Sequence, residues 1–209
     1  MAKAVKLLCA AALVALIVAT APASSAQVVA TDAYQVNYFS NNLPDAAAET
    51  AGNTAFLRII NTGQNGSPIS QNQGTVCASI YVFDNNQEML ACCSCPITAN
   101  GLLTLDIGDQ LVENTLTSVE PLTGVIKIVA DARTSCDATS IVSPINGALR
   151  SFGVHLQALA PDGASLPTET ESQTAPLTNT EQAFLGQACS FVLYLGSGKG
   201  TCSCKPELD

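Results

Sequence analysis

Short runs of apolar and β-branched residues, separated by polar turn residues, recur along the chain from residue 54 onward. Runs of this length and composition are typical of β-strands. The predicted strands cover residues 54 to 61, 75 to 84, 87 to 93, 102 to 108, 124 to 131, 149 to 159 and 183 to 196, and a last piece, GTCSC, is expected to pair back across a GSGKG turn. This spacing predicts an all-β fold, a single disulfide-reinforced antiparallel β-sandwich of about 7–9 short strands, immunoglobulin-like or jelly-roll-like.

The stretch CASIYVFD shows how the strands assign their faces. Alternate residues of a strand point to opposite sides of a sheet. Ala78, Ile80 and Val82 therefore share one face, while Tyr81 and Phe83 share the other. Because both faces are apolar, we expect this strand to be central in its sheet, and the DNN that follows it predicts a hairpin turn.

Two segments of the chain lack a clear alternation of apolar and polar residues. Residues 27 to 52 are predicted to be an N-terminal arm or an extra strand, and the sandwich domain is placed at residues 53 to 209. Within that domain, residues 161 to 182 contain three prolines and no apolar repeat, so we expect a long surface loop.

The first 26 residues have the parts of a secretory signal peptide. Lys3 and Lys6 precede an apolar run over residues 7 to 19, and small residues precede a cut after Ala26 or, alternatively, after Ala23. The apolar run is shorter than the ~18 residues that a membrane-spanning helix needs. The sequence therefore predicts a secreted protein with no membrane span after cleavage, located in the periplasm, at the cell surface or in the medium.

Charge and composition limit the partners. Without Lys3 and Lys6, six basic residues face seventeen acidic ones, a formal balance of −11. An acidic exported chain with no basic run is a poor candidate for binding nucleic acid or an anionic membrane. A protein or carbohydrate partner is expected, although the absence of tryptophan leaves few platforms for sugar rings. Self-association is left open.

The cysteines form the most distinctive pattern. Eight remain after cleavage, namely Cys77, Cys92, Cys93, Cys95, Cys136, Cys189, Cys202 and Cys204. An even number in an exported chain predicts a disulfide framework. On a strand, Cys93 and Cys95 point to one face and Cys92 to the other, so these three sulfurs do not easily converge on one ion. We predict that the cluster links to Cys202 and Cys204, with the remaining pairs drawn from the other three cysteines, and we predict no metal or cofactor.

No catalytic constellation is complete. His155 is the one histidine, and it lies in a predicted strand with no GxSxG motif in the chain, so a structural role is expected. Asp84 with Glu88, and Asp106 with Asp109, are close enough in sequence to suggest carboxylate pairs, but they are better explained as ordinary loop acids. The cluster of Asp84, Asn85, Asn86 and Glu88 suggests a calcium loop, and a hairpin turn explains it better. GSGKG lacks the serine or threonine of a phosphate loop. The sequence therefore predicts a protein that is not an enzyme.

Two stretches carry a resemblance. CASIYVFDNNQEMLACCSCPITANGLLTLDI and LGQACSFVLYLGSGKGTCSC resemble segments of a group of exported bacterial proteins of uncharacterised function. The resemblance covers most of the chain after the signal peptide. It implies a bacterial exported context and brings no activity or ligand with it.

These observations predict a non-enzymatic extracellular or cell-surface structural or interaction protein that disulfides stabilise. One alternative is a carbohydrate- or protein-binding module whose contacts come from residues 161 to 182 or from exposed tyrosines among Tyr34, Tyr38, Tyr81 and Tyr194. A redox or metal protein that uses the CCxC and CxC cysteines is another. A third is a surface-fibre subunit in which residues 27 to 52 add a strand to a neighbour.

Overall fold

The computed structural model describes residues 27 to 41, 55 to 65, 74 to 133, 135 to 158 and 165 to 205. The strands are β1 (Val28–Ser40), β2 (Ala55–Asn61), β3 (Val76–Asp84), β4 (Met89–Ile97), β5 (Leu102–Asp106), β6 (Thr123–Asp131), β7 (Leu149–Ala158), β8 (Ser165–Glu171) and β9 (Gln173–Thr178). A π-helical turn (Ile107–Val112) follows β5, and a helix, α1 (Asn179–Gly196), follows β9. The predicted signal peptide, residues 1 to 26, lies outside the described residues.

The strands form two antiparallel sheets, which confirms the predicted all-β sandwich. The five-stranded sheet has the order β4-β3-β6-β1-β9, and the four-stranded sheet has the order β5-β2-β7-β8. Aliphatic side chains from both sheets fill the main core, among them Leu57, Ile59, Ile80, Leu105, Ile126 and Ile128. β3 lies between β4 and β6 and is buried on both faces, as its apolar alternation predicts.

A second core covers the outer face of the five-stranded sheet. Tyr81 and Val129 of that sheet pack with Leu185 and Val192 of α1. The molecule therefore has three layers, the two sheets and a helix. Among the described residues, no helix is long and apolar enough to span a bilayer.

The predicted strand over residues 183 to 196 is wrong, because these residues belong to α1. The Thr178 hydroxyl accepts a hydrogen bond from the N–H of Glu181 at 3.1 Å. This threonine and glutamate form the T-x-x-E pattern that caps helix N-termini. The segment also contains a single β-branched residue, Val192, so its intrinsic preference favours helix over strand.

The predicted loop over residues 161 to 182 is also wrong in its described part. Residues 165 to 171 form β8 at the edge of the four-stranded sheet, and residues 173 to 178 form β9 at the edge of the five-stranded sheet. The chain changes sheets at Ser172. Both strands are polar and contain a proline. Each pairs on one side only, and edge strands tolerate proline and exposed charge, so this composition is compatible with a strand.

The described part of the 27 to 52 segment is an internal strand. β1 pairs with β6 along one side, from Tyr34 to Ser40, and with β9 along the other. Its inward side chains form a buried polar group in which Ser151 donates a hydrogen bond to the side-chain carbonyl of Gln35 at 2.7 Å. β1 is therefore paired on both sides within its own molecule, from Tyr34 to Ser40 with β6 and from Val28 to Val36 with β9.

Candidate functional site

β4 directs its three cysteines to opposite faces of the five-stranded sheet. The four disulfides join Cys77 to Cys136, Cys92 to Cys189, Cys93 to Cys202 and Cys95 to Cys204. Cys92 belongs to the core beneath α1, whereas Cys93 and Cys95 belong to the main core. Strand alternation predicts this division. β4 is thus tied to the helix on one face and to the C-terminal segment on the other.

The C-terminal segment, residues 200 to 205, lies along the free edge of β4. The N–H of Cys92 donates to the carbonyl of Gly200 at 2.9 Å, and the N–H of Cys202 donates to the carbonyl of Cys92 at 3.4 Å. GTCSC therefore runs beside β4 and does not pair back on residues 183 to 196. Because an open sheet edge can pair with other chains, this segment protects the sandwich from edge-to-edge association.

GSGKG ends α1 and turns the chain back toward β4; it is not a turn between two strands. Ser197, at the C-cap, has a φ of 46°, and Gly198 has a φ of 100°, both in the left-handed region. Gly200 also has a positive φ, and a Cβ atom there would lie 2.2 Å from a methyl carbon of Val192. The glycines allow the chain to turn back toward β4 after α1. This role explains the GSGKG motif, and no phosphate ligand is needed to explain it.

Four sulfurs lie together at the junction of β4 and the C-terminal segment. The Sγ atoms of Cys93, Cys95 and Cys204 lie within 4.8 Å of one another, and Cys202 is bonded to the first of them. Metal binding and thiol exchange both require thiolates. In the disulfide form these sulfurs carry no thiolate, so metal binding here requires reductive opening, whereas redox exchange begins with attack of an external thiolate on one of the two bonds.

The acidic residues considered as carboxylate pairs have structural roles. One carboxylate oxygen of Asp84 accepts hydrogen bonds from the N–H groups of Asn86 and Glu88, both at 2.9 Å. Asp106 accepts from the N–H of Asp109 at 2.9 Å and caps the π-helical turn. The first arrangement closes the β3–β4 hairpin. Both carboxylates thus stabilise chain turns. The hairpin at Asp84 agrees with the sequence prediction, whereas the π-helical turn replaces the end of the strand predicted over residues 102 to 108.

His155 lies on β7 and stacks on the ring of Tyr38, with the ring centroids 5.2 Å apart. Neither of its buried ring nitrogens hydrogen bonds to a residue in the described ranges. A nucleophile needs a base within hydrogen-bond reach. Within the described part of the chain, His155 is not joined to a hydroxyl, thiol or carboxylate in this way.

The four tyrosines divide into two buried and two exposed residues. Tyr81 donates a hydrogen bond to the carbonyl of Ala138 at 2.8 Å, and burial raises the pKa of its phenol. Burial likewise raises the pKa of Tyr34, which donates to Glu181 at 2.9 Å. Tyr38 and Tyr194 are exposed. Only these two tyrosines are available as contacts for a partner.

Glu181 fixes the N-terminal end of α1 on the sheet. Its carboxylate accepts hydrogen bonds from the phenol of Tyr34 and from the ammonium of Lys127, the latter at 2.6 Å. Lys127 also lies 4.9 Å from the centre of the Phe83 ring. A partly buried ion pair, a cation–π contact and the N-cap therefore hold this end of the helix in one orientation.

One side of α1 carries an apolar ridge, which we define as the exposed Phe184, Phe191 and Leu195 together with the half-buried Ala188, flanked by Tyr194. Phe184, Phe191 and Leu195 are 47%, 61% and 51% exposed, and Tyr194 is 84% exposed. Phe184 also stacks on Phe83, which lies near the end of the internal strand β3. Exposed apolar groups clustered on one helix are typical of binding surfaces. The ridge is therefore the candidate functional site.

The sequence prediction missed this site because it assigned the segment to a strand. On a strand, Phe184, Phe191 and Leu195 do not share one face, whereas on a helix they do. The T-x-x-E pattern that ends at Glu181, followed by an apolar run, was the available signal. No protein-family model, curated protein or solved structure matches the chain.

Proposed function

We propose that the protein is an exported, non-enzymatic interaction protein, a disulfide-tied β-sandwich that presents the ridge of α1 to a partner. The observation that carries this proposal is the exposure of the ridge on a helix that is fixed at both ends and in the middle. The Thr178 N-cap and the Glu181 ion pair hold its start, Cys189 holds its centre, and the GSGKG return holds its end. Such a surface is preorganised, which lowers the entropy lost on binding.

Export is supported by two independent features. The predicted signal peptide gives a route out of the cytoplasm. Four disulfides need an oxidising compartment in which to form and persist. The resemblance to exported bacterial proteins is consistent with both. The carboxylates of Asp84 and Asp106 stabilise chain turns, and the ring nitrogens of His155 are not hydrogen bonded to a nucleophile among the described residues, which supports a role in binding and not in catalysis.

The test is site-specific photo-cross-linking in the producing cell. A photoreactive amino acid at Tyr194, beside the ridge, is expected to give an adduct in the exported fraction. The same amino acid at Leu122, which is 59% exposed but lies outside α1, is the matched control and is expected to give none. Retention of the chain in the cytoplasm, or equal adducts from both positions, would contradict the proposal.

A further inference from the structure

We propose that the partner of the ridge is a second copy of this chain, with the two α1 helices packed antiparallel about a twofold axis. This inference rests on the proposed function, because it names the partner of the same surface. It follows from the spacing of the ridge residues, their sizes, the charges around them and the exposed area.

The ridge residues have the spacing of a helix-pairing seam. Positions 184, 188, 191 and 195 are separated by four, three and four residues. This 4-3-4 spacing places side chains along one narrow stripe of a helix and is the pattern that packs as knobs into the holes of a second helix. The spacing therefore favours a helix as the occupant over an extended peptide or a small ligand.

The order of the ridge residues is complementary to itself when the second helix runs in the opposite direction. An antiparallel partner places Phe184 opposite Leu195 of the partner subunit, and Ala188 opposite Phe191 of the partner subunit. The small residue at the centre thus receives the large ring of the other copy, which is how well-packed cores alternate large and small groups. In a parallel pair, the two Phe191 rings would meet each other and the two Ala188 residues would leave a gap.

The charge of α1 is compatible with this occupant. Without residues 1 to 26 the formal net charge is −11, which makes copies repel one another in general. Along α1, however, Glu181 is the one charged residue, and its carboxylate is already bound to Lys127 and Tyr34. The two helices can therefore meet without opposing carboxylates of their own. Helices that bind membrane surfaces usually carry Lys and Arg beside the apolar face, and α1 contains neither.

The exposed area is sufficient for a specific dimer. Large aromatic side chains bury roughly 150–250 Å² each. At 47% to 84% exposure, Phe184, Phe191, Tyr194 and Leu195 together offer on the order of 500 Å² per copy for burial. Two copies then bury about 1,000 Å² of total surface, the lower bound for a biological interface. Gln187 faces Tyr194 of the partner subunit in this arrangement, so the rim is polar and uncharged.

The experiment is sedimentation of the exported protein, disulfides intact, over a range of concentrations. The protein is expected to form dimers, and Phe191→Asp is expected to weaken dimerisation at least about tenfold, since the ring lies at the centre of the interface. Leu122→Asp is the matched control, because it adds the same charge at an exposed apolar position outside the ridge. Circular dichroism and the disulfide content check that each variant is folded.

A charge pair tests the direction of the helices. Phe184→Glu and Leu195→Lys are each expected to weaken the dimer, and the double variant is expected to restore it, because antiparallel packing brings the two new charges together. Parallel packing would place like charges opposite each other at both positions, so the double variant would stay monomeric. A monomeric double variant would therefore overturn the antiparallel arrangement.

Two results would overturn self-association as such. The first is a protein that stays monomeric at all concentrations while the photoreactive group at Tyr194 still captures a protein of another mass in the cell. That result would leave the proposed interaction function standing. The second is binding to vesicles of zwitterionic lipid that depends on Phe191, since it would assign the ridge to a membrane.

Discussion

Removing the Cys92–Cys189 disulfide, in the double variant Cys92→Ala with Cys189→Ala, is expected to lower the free energy of unfolding by about 3–5 kcal/mol. This bond closes a segment with a sequence separation of 97, so its loss frees a long loop in the unfolded chain. Both sulfurs are buried in the core beneath α1, where truncation also leaves a cavity. Denaturant unfolding of the oxidised protein measures the change.

The same variant is expected to loosen α1 specifically. The helix packs on the sheet through few buried residues, and this bond is its one covalent link to β4. Hydrogen exchange of the α1 amides should therefore accelerate more than exchange in β3. The control is Cys77→Ala with Cys136→Ala, which removes a disulfide outside α1. An equal acceleration of α1 in the two variants would contradict a specific role for Cys92–Cys189 in fixing the ridge.

Replacing Asp131 by alanine is expected to lower the free energy of unfolding by about 3 kcal/mol or more. Its carboxylate is fully buried and lies 3.1 Å from the guanidinium of Arg133. It also accepts hydrogen bonds from the backbone N–H groups of Val142 at 3.0 Å and Ser143 at 3.2 Å. Truncation leaves these three part-buried donors without their acceptor and removes the buried partner of the Arg133 guanidinium, and both changes are costly.

A surface ion pair supplies the control for Asp131. Arg58 and Glu169 lie 3.3 Å apart, and both side chains are 45% exposed. Because exposed pairs of this kind contribute about 0–1 kcal/mol, Glu169→Ala is expected to change the free energy of unfolding by no more than that. Urea unfolding of the two variants compares them directly. Equal losses would show that burial of Asp131 does not set its contribution.

Most of the sandwich could be predicted from local sequence. The strands from β2 to β7 contain alternating or continuous apolar runs bounded by turn residues, and the structure places a strand on each. The opposite directions of Cys92 and Cys93 follow from strand geometry alone. β3 could be placed inside its sheet because both of its faces are apolar.

β8, β9 and α1 could not be predicted from apolar runs. β8 and β9 have no apolar period because each lies at a sheet edge, and their hydrogen bonds to β7 and β1 hold them in the strand conformation. α1 is apolar on two sides, since Leu185 packs on the sheet while Phe191 is exposed. A segment with this composition shows no clear amphipathic pattern, so the capping box at Thr178 was the better guide.

Mass mapping of the unreduced protein, recovered outside the cytoplasm, tests most directly the claim that an exported, disulfide-tied framework fixes the ridge of α1. We predict a chain that begins at Gln27, contains no free thiol, and yields peptides that link Cys92 to Cys189. We also predict links from Cys93 to Cys202, from Cys95 to Cys204, and from Cys77 to Cys136. Free thiols among residues 92 to 95 would contradict this prediction. A chain that stays inside the cell with residues 1 to 26 still attached would also contradict it.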